Sequence, residues 1–214
     1  MLSIIIPVKD QLHWTKHIIQ DIKKKVTVPH EVIVVDDGSQ PDTFEWLNSR
    51  LDDGVSLAIR NEVRGVNAAW NLGVNKALGD IVWIINNDIV LTEGLDRELI
   101  GVLDKHKIAC PWTTEGKVKF MLPLARKSDD LSGWCFMMKK KDWKPIEPRL
   151  DLWYGDTWQY AMNGKDVGYI GKIHHYVSKT IFSPEEQKKN RIRILQDKVN
   201  WQIIKNELNL NCHD

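Results

Sequence analysis

Four short clusters in this 214-residue chain carry residue types from which a reaction centre can be built: Asp36-Asp37-Gly38-Ser39, Asn86-Asn87-Asp88, Trp153-Tyr154-Gly155-Asp156 and His174-His175. Asp37 can accept hydrogen bonds from a base N–H or a ribose hydroxyl. Asp88, a carboxylate beside two carboxamides, can hold a hard divalent cation through oxygen ligands. Such a cation would neutralise a diphosphate and stabilise the charge it gains on leaving. One of the two histidines could add a softer nitrogen ligand, which favours Mn²⁺ over Mg²⁺. Asp156 is set among aromatics, where burial raises a carboxyl pKa and makes it a usable base. Each cluster also has a plainer reading. The first two are composed like polar turns, either histidine can be structural or at the surface, and Asp156 can be the N-cap of a helix.

The elements that would position these residues alternate. Leu2–Pro7 is a short apolar β-branched run of the buried-strand type. A helix follows over roughly 11–25, then a second apolar strand over Glu31–Val35 that ends abruptly in the first acidic cluster. Pro41 opens a helix to Leu51, and Val55–Ile59 is a third strand. Val66, Ala69, Trp70, Val74, Ala77 and Leu78 fall at helical spacing and are expected to face a core. Ile81–Ile85 is a fourth strand, delivering Asn86–Asp88 at its end. Strands and helices in alternation imply a mostly parallel central sheet flanked by helices, a Rossmann-like α/β single domain. In such sheets ligands bind beyond the carboxyl ends of the strands, which directs attention to Pro7–Lys9, Asp36–Ser39 and Asn86–Asp88.

The second half is less regular. Phe120–Pro123, Trp134–Met138 and Tyr169–His175 read as strands and Asp156–Asn163 as a helix. Ser183-Pro184-Glu185-Glu186 is a capping box that opens a long basic helix to about Leu208, with Ile192, Leu195, Val199 and Ile203 expected inward. That helix packs on its own domain in the simplest reading. Its basic residues beside an apolar stripe would also suit peripheral contact with a membrane or a partner.

Composition excludes several classes. Lys plus Arg number 30 against 29 Asp plus Glu, which leaves no nucleic-acid footprint. Three separated cysteines, Cys110, Cys135 and Cys212, form no metal or redox motif and suit a reducing compartment. No signal peptide or transmembrane run is visible, so a cytoplasmic protein is expected. Lys23–Lys25 and Lys139–Lys141 read as solvated faces. Of ten tryptophans most should serve packing, while Trp134, Trp153 and Trp158 are candidates for flat aromatic faces against a sugar. A dinucleotide-binding dehydrogenase is excluded, because the turn Pro7-Val8-Lys9-Asp10-Gln11 lacks the glycines that let backbone approach a pyrophosphate.

The order of these clusters carries a resemblance. Ser3–Asp10 (SIIIPVKD), Glu31–Thr43 (EVIVVDDGSQPDT) and above all Asn61–Asp88 look like the nucleotide-binding half of inverting, family 2 glycosyltransferases of the GT-A fold. Leu131–Phe136 (LSGWCF), Tyr154–Asp156 and His175–Thr180 (HYVSKT) resemble that family's acceptor half, so the likeness runs over roughly residues 2–182. It implies one domain over 1–214, with a nucleotide-binding half at 1–90, an acceptor-binding half at 91–182 and a C-terminal helix at 183–210. It also implies transfer of a sugar from a nucleoside diphosphate sugar, UDP being the commoner carrier, to a hydroxyl acceptor with inversion.

By position, Asp37 would contact the base, with Pro7 and Val8 lining the same pocket by backbone. Asp88 matches the metal-binding aspartate of the family's DxD motif, for Mn²⁺ or Mg²⁺. Asn86 replaces the first aspartate, one negative charge fewer, so weak metal affinity is expected. His175 matches the late histidine ligand, with His174 the fallback, and Asp156 matches the base. Gly133 and Trp134 would border the donor sugar, and Trp153 stands as a sugar- or acceptor-facing aromatic. Asn61, Arg64, Gly65 and Asn71 match positions that shape the loop near the diphosphate, and Asn87 sits within the same nucleotide-facing run. Two competing readings stand beside this one: a nucleotidyltransferase, whose glycine- and arginine-rich loop after the first strand is absent here, and a non-catalytic nucleotide- or glycan-binding protein, which the Asn86 substitution keeps open.

Overall fold

A computed structural model describes residues 1–51, 53–62, 65–113, 133–176 and 184–210. The strand proposed at Phe120–Pro123, together with Arg64, Ser178, Thr180 and Ser183, lies outside them. The elements run β1 (Leu2–Val8), α1 (Leu12–Lys25), β2 (His30–Asp36), α2 (Pro41–Asn48), β3 (Leu57–Arg60), α3 (Val66–Lys76), β4 (Ile81–Ile85), β5 (Ile89–Val90), α4 (Leu95–Val102), β6 (Ile108–Thr113), β7 (Cys135–Lys139), α5 (Gly155–Met162), β8 (Val167–His175) and α6 (Pro184–Leu208).

The strands form one sheet in the order β3-β2-β1-β4-β7-β6-β8-β5. Its β3-β2-β1-β4 wing is parallel, β7 is antiparallel to both β4 and β6, and β8 is parallel to β6 but antiparallel to β5. The apolar runs read from the sequence are buried on both faces, which is why they show no polar alternation. Ile4 and Ile6 of β1, Val34 of β2 and Trp83 of β4 pack into one core with Ile18 and Ile22 of α1 and Leu99 of α4. Ile5, Ile33 and Ile84, the intervening residues, pack into a second core with Trp70 and Val74 of α3, Trp158 of α5 and Trp201 of α6. Strand pleating sends successive side chains to opposite faces, so each strand serves both layers.

Two expectations about burial fail. Leu78 is 78% exposed, because α3 stops at Lys76 and Ala77 is already extended. On α6, Ile192, Leu195, Val199 and Ile203 are 79%, 51%, 54% and 44% exposed, while Asp197, Trp201, Ile204 and Lys205 face the protein. This helix carries apolar residues on two opposite faces. Periodicity finds both, and the packing of Trp201 against Tyr154 (ring centroids 5.5 Å apart) decides which one is buried.

Sheet register gathers the ends that matter. Val8 pairs with Asp36 and Ile5 with Ile84, so the parallel strands β1, β2 and β4 deliver Lys9, Asp37 and Asn86 to one edge. β7 runs the other way and opens with Cys135 opposite Ile85, which puts Gly133 and Trp134 at that same edge. The Asn86 N–H donates to the Trp134 carbonyl at 2.8 Å.

Candidate active site

A cavity of about 430 Å³ opens at this edge, a size typical of small-molecule sites. One wall consists of strand ends. Pro7 and Val8 line it, and the Asp37 N–H donates to the Val8 carbonyl at 2.7 Å. Asp37 is buried and accepts hydrogen bonds from Asn61 Nδ2 (2.7 Å) and the Gly65 N–H (3.1 Å). Asn61 itself lies behind the cavity and orients Asp37 from there. Gly65 has φ of +88°, and a Cβ on it would strike the Asp151 carbonyl, so glycine is required on both counts. Asp36, the neighbouring acid, points away from the cavity and accepts from the Ser39 N–H at 3.0 Å, a turn role. Asn86 faces the cavity, and its Oδ1 has no hydrogen-bond partner among the described residues. Asn87 lines the cavity too, but its amide donates to Thr15 Oγ1 at 3.1 Å, tying the wall to α1. Asn71, expected near the diphosphate, instead braces the Ile146 backbone through both its amide groups.

Asp88 and His175 meet through strand pairing. β5 begins one residue after Asp88, and Ile89 pairs with His175 in the antiparallel β5–β8 ladder. Both side chains are buried, with Asp88 Oδ1 3.4 Å from His175 Nε2. His174, the alternate strand residue, points outward and packs edge-on against Tyr176 at 4.5 Å. Asp88 Oδ1 accepts no hydrogen bond among the described residues. A buried carboxylate oxygen left in this state, converging with an imidazole nitrogen, fits a divalent cation. Trp134 lines the cavity and stacks on the His175 ring at 5.0 Å and 18°, fixing the imidazole plane.

Asp156 sits in the first turn of α5 and borders the same cavity beside Gly133. Its side chain is half-buried and borders the cavity. Burial pushes its carboxyl above the ordinary range, partly offset by hydrogen bonds from Thr157 and from the Gly133 N–H. A Cβ at Gly133 would lie 2.7 Å from Asp156 Oδ2, so glycine is what lets the two approach. Tyr154, the residue before α5, holds a left-handed backbone (φ 66°), a conformation that costs a bulky residue about 1–3 kcal/mol and persists where the surroundings impose it. Its ring stacks on Trp201, centroids 5.5 Å apart. Trp153 lines the cavity with Lys198 Nζ 5.3 Å from its ring centre. Trp158 does not: it is buried, its indole N–H bonded to the Lys144 carbonyl at 3.2 Å, and it serves the core.

Asp37, Asp88, Gly133, Trp134, Trp153 and Asp156 thus border one cavity, with His175 against Asp88. Sequence reading missed Asn67, Asn190 and Arg193, which also line it, and Asp197 behind it. Asn67 and Asp197 gave no local motif. The one available signal was that Asp197 falls four residues from both Arg193 and Trp201, on a single helical face.

The sequence model of glycosyl transferase family 2 matches residues 3–147. The chain belongs to this family. An uncharacterized glycosyltransferase of Haemophilus influenzae is 29% identical over 111 residues, covering 50% of this chain and 44% of that protein. Glycosyltransferase GlyG of Streptococcus pneumoniae is 24% identical over 101 residues, 46% of this chain and 34% of that one. The matches therefore span less than half the length of these relatives. Among solved structures, S. aureus TarS 1-349 in complex with UDP-GlcNAc superposes with a TM-score of 0.65 at 13% identity, over 91% of this chain and 66% of that one. Mannosyltransferase PcManGT from Pyrobaculum calidifontis, in complex with GDP-Man and Mn²⁺, gives 0.64 at 15% identity over 83% and 57%. At these identities the likeness establishes the fold, which is GT-A. Among the described residues, no helix is long and apolar enough to cross a membrane.

Proposed function

We propose that the chain transfers one sugar from a nucleoside diphosphate sugar, a UDP-sugar first, to a hydroxyl acceptor with inversion at the anomeric carbon. One observation carries this reading: Asp37, Asp88 with His175, and Asp156, far apart in sequence, border a single cavity at the ligand-binding edge of the sheet. Asp37 accepts from the base, with Pro7 and Val8 as backbone lining. Asn86 offers its carboxamide toward the diphosphate. Asp88 and His175 would hold the divalent cation, which when bound offsets the charge of the departing diphosphate. Gly133 and Trp134 border the donor sugar, and Trp153 the acceptor side. Asp156 takes the acceptor hydroxyl proton as that oxygen bonds to the anomeric carbon and the bond to the diphosphate oxygen breaks. The Gly133 and Thr157 N–H groups keep its carboxylate aimed.

The test is a thermal-shift panel of nucleotides and nucleotide sugars with Mn²⁺, followed by measurement of nucleoside diphosphate release. A ligand at 100 times its Kd stabilises the fold by about 2.7 kcal/mol. Stabilisation by a UDP-sugar with UDP release, suppressed by EDTA, is expected. Full release in EDTA discards the cation role. Stabilisation with no release by any donor favours the non-catalytic binder, the reading that Asn86 supports.

The outward stripe of α6 supports a second contact. Ile192, Leu195, Val199 and Ile203 lie beside exposed Lys188, Arg191 and Lys198, while nearby Glu207 is occupied by Arg149 at 2.8 Å. An apolar strip flanked by exposed cations complements an anionic lipid surface. Sedimentation with phosphatidylglycerol vesicles but not with phosphatidylcholine vesicles is expected, and equal recovery in both supernatants discards it.

A further inference from the structure

The wall of the cavity that carries Asp156 is not part of the sheet. Residues 150–154 form an irregular, half-buried segment leading into α5, and backbone groups withdrawn from water in such a segment must find partners. Here two side chains supply most of them. Asn67, in the first turn of α3, donates from Nδ2 to the carbonyls of Leu150 (3.1 Å) and Trp153 (2.9 Å), and its own N–H donates to the Asp151 carbonyl at 3.2 Å. From the opposite side Asp197 of α6, only 1% exposed, accepts three backbone N–H groups: Asp151 at 2.8 Å, Leu152 at 2.7 Å and Trp153 at 2.8 Å. One turn earlier on α6, Arg193 Nε donates to Asp151 Oδ2 at 3.2 Å, and Arg193 itself reaches the cavity. Carbonyls are held from one side and N–H groups from the other, three residues before the proposed base.

We propose that Asp197 is a positioning residue for the transfer reaction, holding the Asp151–Trp153 backbone so that Asp156 meets the acceptor hydroxyl in line. This rests on the assignment of Asp156 as base. A carboxylate is needed because three N–H groups converge on it. A neutral carboxamide has one acceptor oxygen and turns an NH₂ toward a donor. Charge-assisted hydrogen bonds of this kind are about twice as strong as neutral ones. The nucleotide end of the cavity is built on strand ends around Asp37 and meets the clamped segment where Gly65, bonded to Asp37, packs on the Asp151 carbonyl.

The experiment compares the full chain with Asp197→Asn and with Asn200→Ala. The latter removes the neighbouring bond from α6 to the Arg149 carbonyl (2.6 Å), which fastens the same helix farther from Asp156. Three quantities are read: hydrogen exchange at the amides of residues 151–153, UDP affinity with Mn²⁺ by calorimetry, and kcat for UDP release from a UDP-sugar. For Asp197→Asn we expect faster exchange at 151–153 and a kcat lowered by about 10²-fold, the cost of a displaced reacting group, with UDP affinity changed far less than kcat. Asn200→Ala should keep the parental kcat. Parental exchange at 151–153 in Asp197→Asn, or fast exchange with parental kcat, overturns the proposal, as does an equal loss of kcat in both variants. If the unaltered chain releases no UDP from any donor, the transferase reading fails instead, and the exchange measurement still decides whether Asp197 holds the segment. If Asp197→Asn does not fold, Asp197→Glu, which keeps the charge, should recover both folding and kcat, and its failure to do so counts against the proposal.

Discussion

The two walls of the cavity are secured by different means. The strand-end wall, from Pro7 through Asp37 to Asp88, is fixed by the ladders of β1, β2 and β4 and by their two-sided cores. Many weak contacts hold it, and no single side chain determines its place. The other wall, residues 150–156, has no ladder. Asn67, Asp197 and the Tyr154–Trp201 stack fix it, so each of these matters individually. A site built this way keeps its nucleotide end rigid through the sheet and confines the burden of precise placement to a few buried polar groups around the base.

The largest effect should come from the loop wall. Asp156→Asn should lower kcat by ~10²–10⁴-fold, the usual contribution of a general base, while calorimetric UDP affinity stays at the parental level. Near-normal turnover would remove Asp156 from the mechanism. Its raised carboxyl pKa also sets a pH dependence. Activity should fall as pH drops through that raised value, so the acidic limb of kcat/KM lies above the ordinary carboxylate range. Folding favours the protonated form, so the stability it contributes is present at low pH and lost as pH rises through the raised pKa. At neutral pH Asp156→Asn should therefore melt no lower than the parent chain, and a large drop in Tm would mean the carboxylate is structural.

Next in size is Trp201→Ala, which empties the buried face of α6 and removes the ring beneath Tyr154. A loss of about 3–5 kcal/mol in a urea melt is expected, whereas a loss under 1 kcal/mol would show α6 to be a loose appendage. Asn67→Ala leaves buried carbonyls unpaired and should cost about 1–3 kcal/mol, with turnover reduced more than UDP affinity. Equal effects on both would mean the two walls are not independent. Smallest is Leu195→Lys on the outward stripe of α6, expected within about 0.5 kcal/mol of the parent. Marked destabilisation would place that face inside the protein.

The parallel wing was legible in the sequence because its signals are local. Ile81–Ile85 has the observed bounds of β4, and the acidic or carboxamide clusters follow their strands directly. His175 was separable from His174 only by family resemblance until the β5–β8 register placed it against Asp88. Asn71 shows the limit of resemblance: the matched position braces Ile146 rather than the ligand side. Trp158 shows the limit of residue type, since a tryptophan suited to stacking on a sugar proved to be core.

By itself, then, the sequence determined the alternating elements, the strand ends at which polar residues collect, and the family to which those residues belong. Such features are written in runs of five to ten neighbouring residues, where apolar periodicity and turn chemistry act. Only the tertiary structure decided which apolar face of α6 is buried and how the Asp156 wall is held. Those outcomes depend on partners distant in the chain: the Asn67 bonds cross 83 and 86 residues, and those of Asp197 cross 44 to 46. No local pattern encodes which backbone groups, buried by the fold as a whole, a given carboxylate or carboxamide will satisfy.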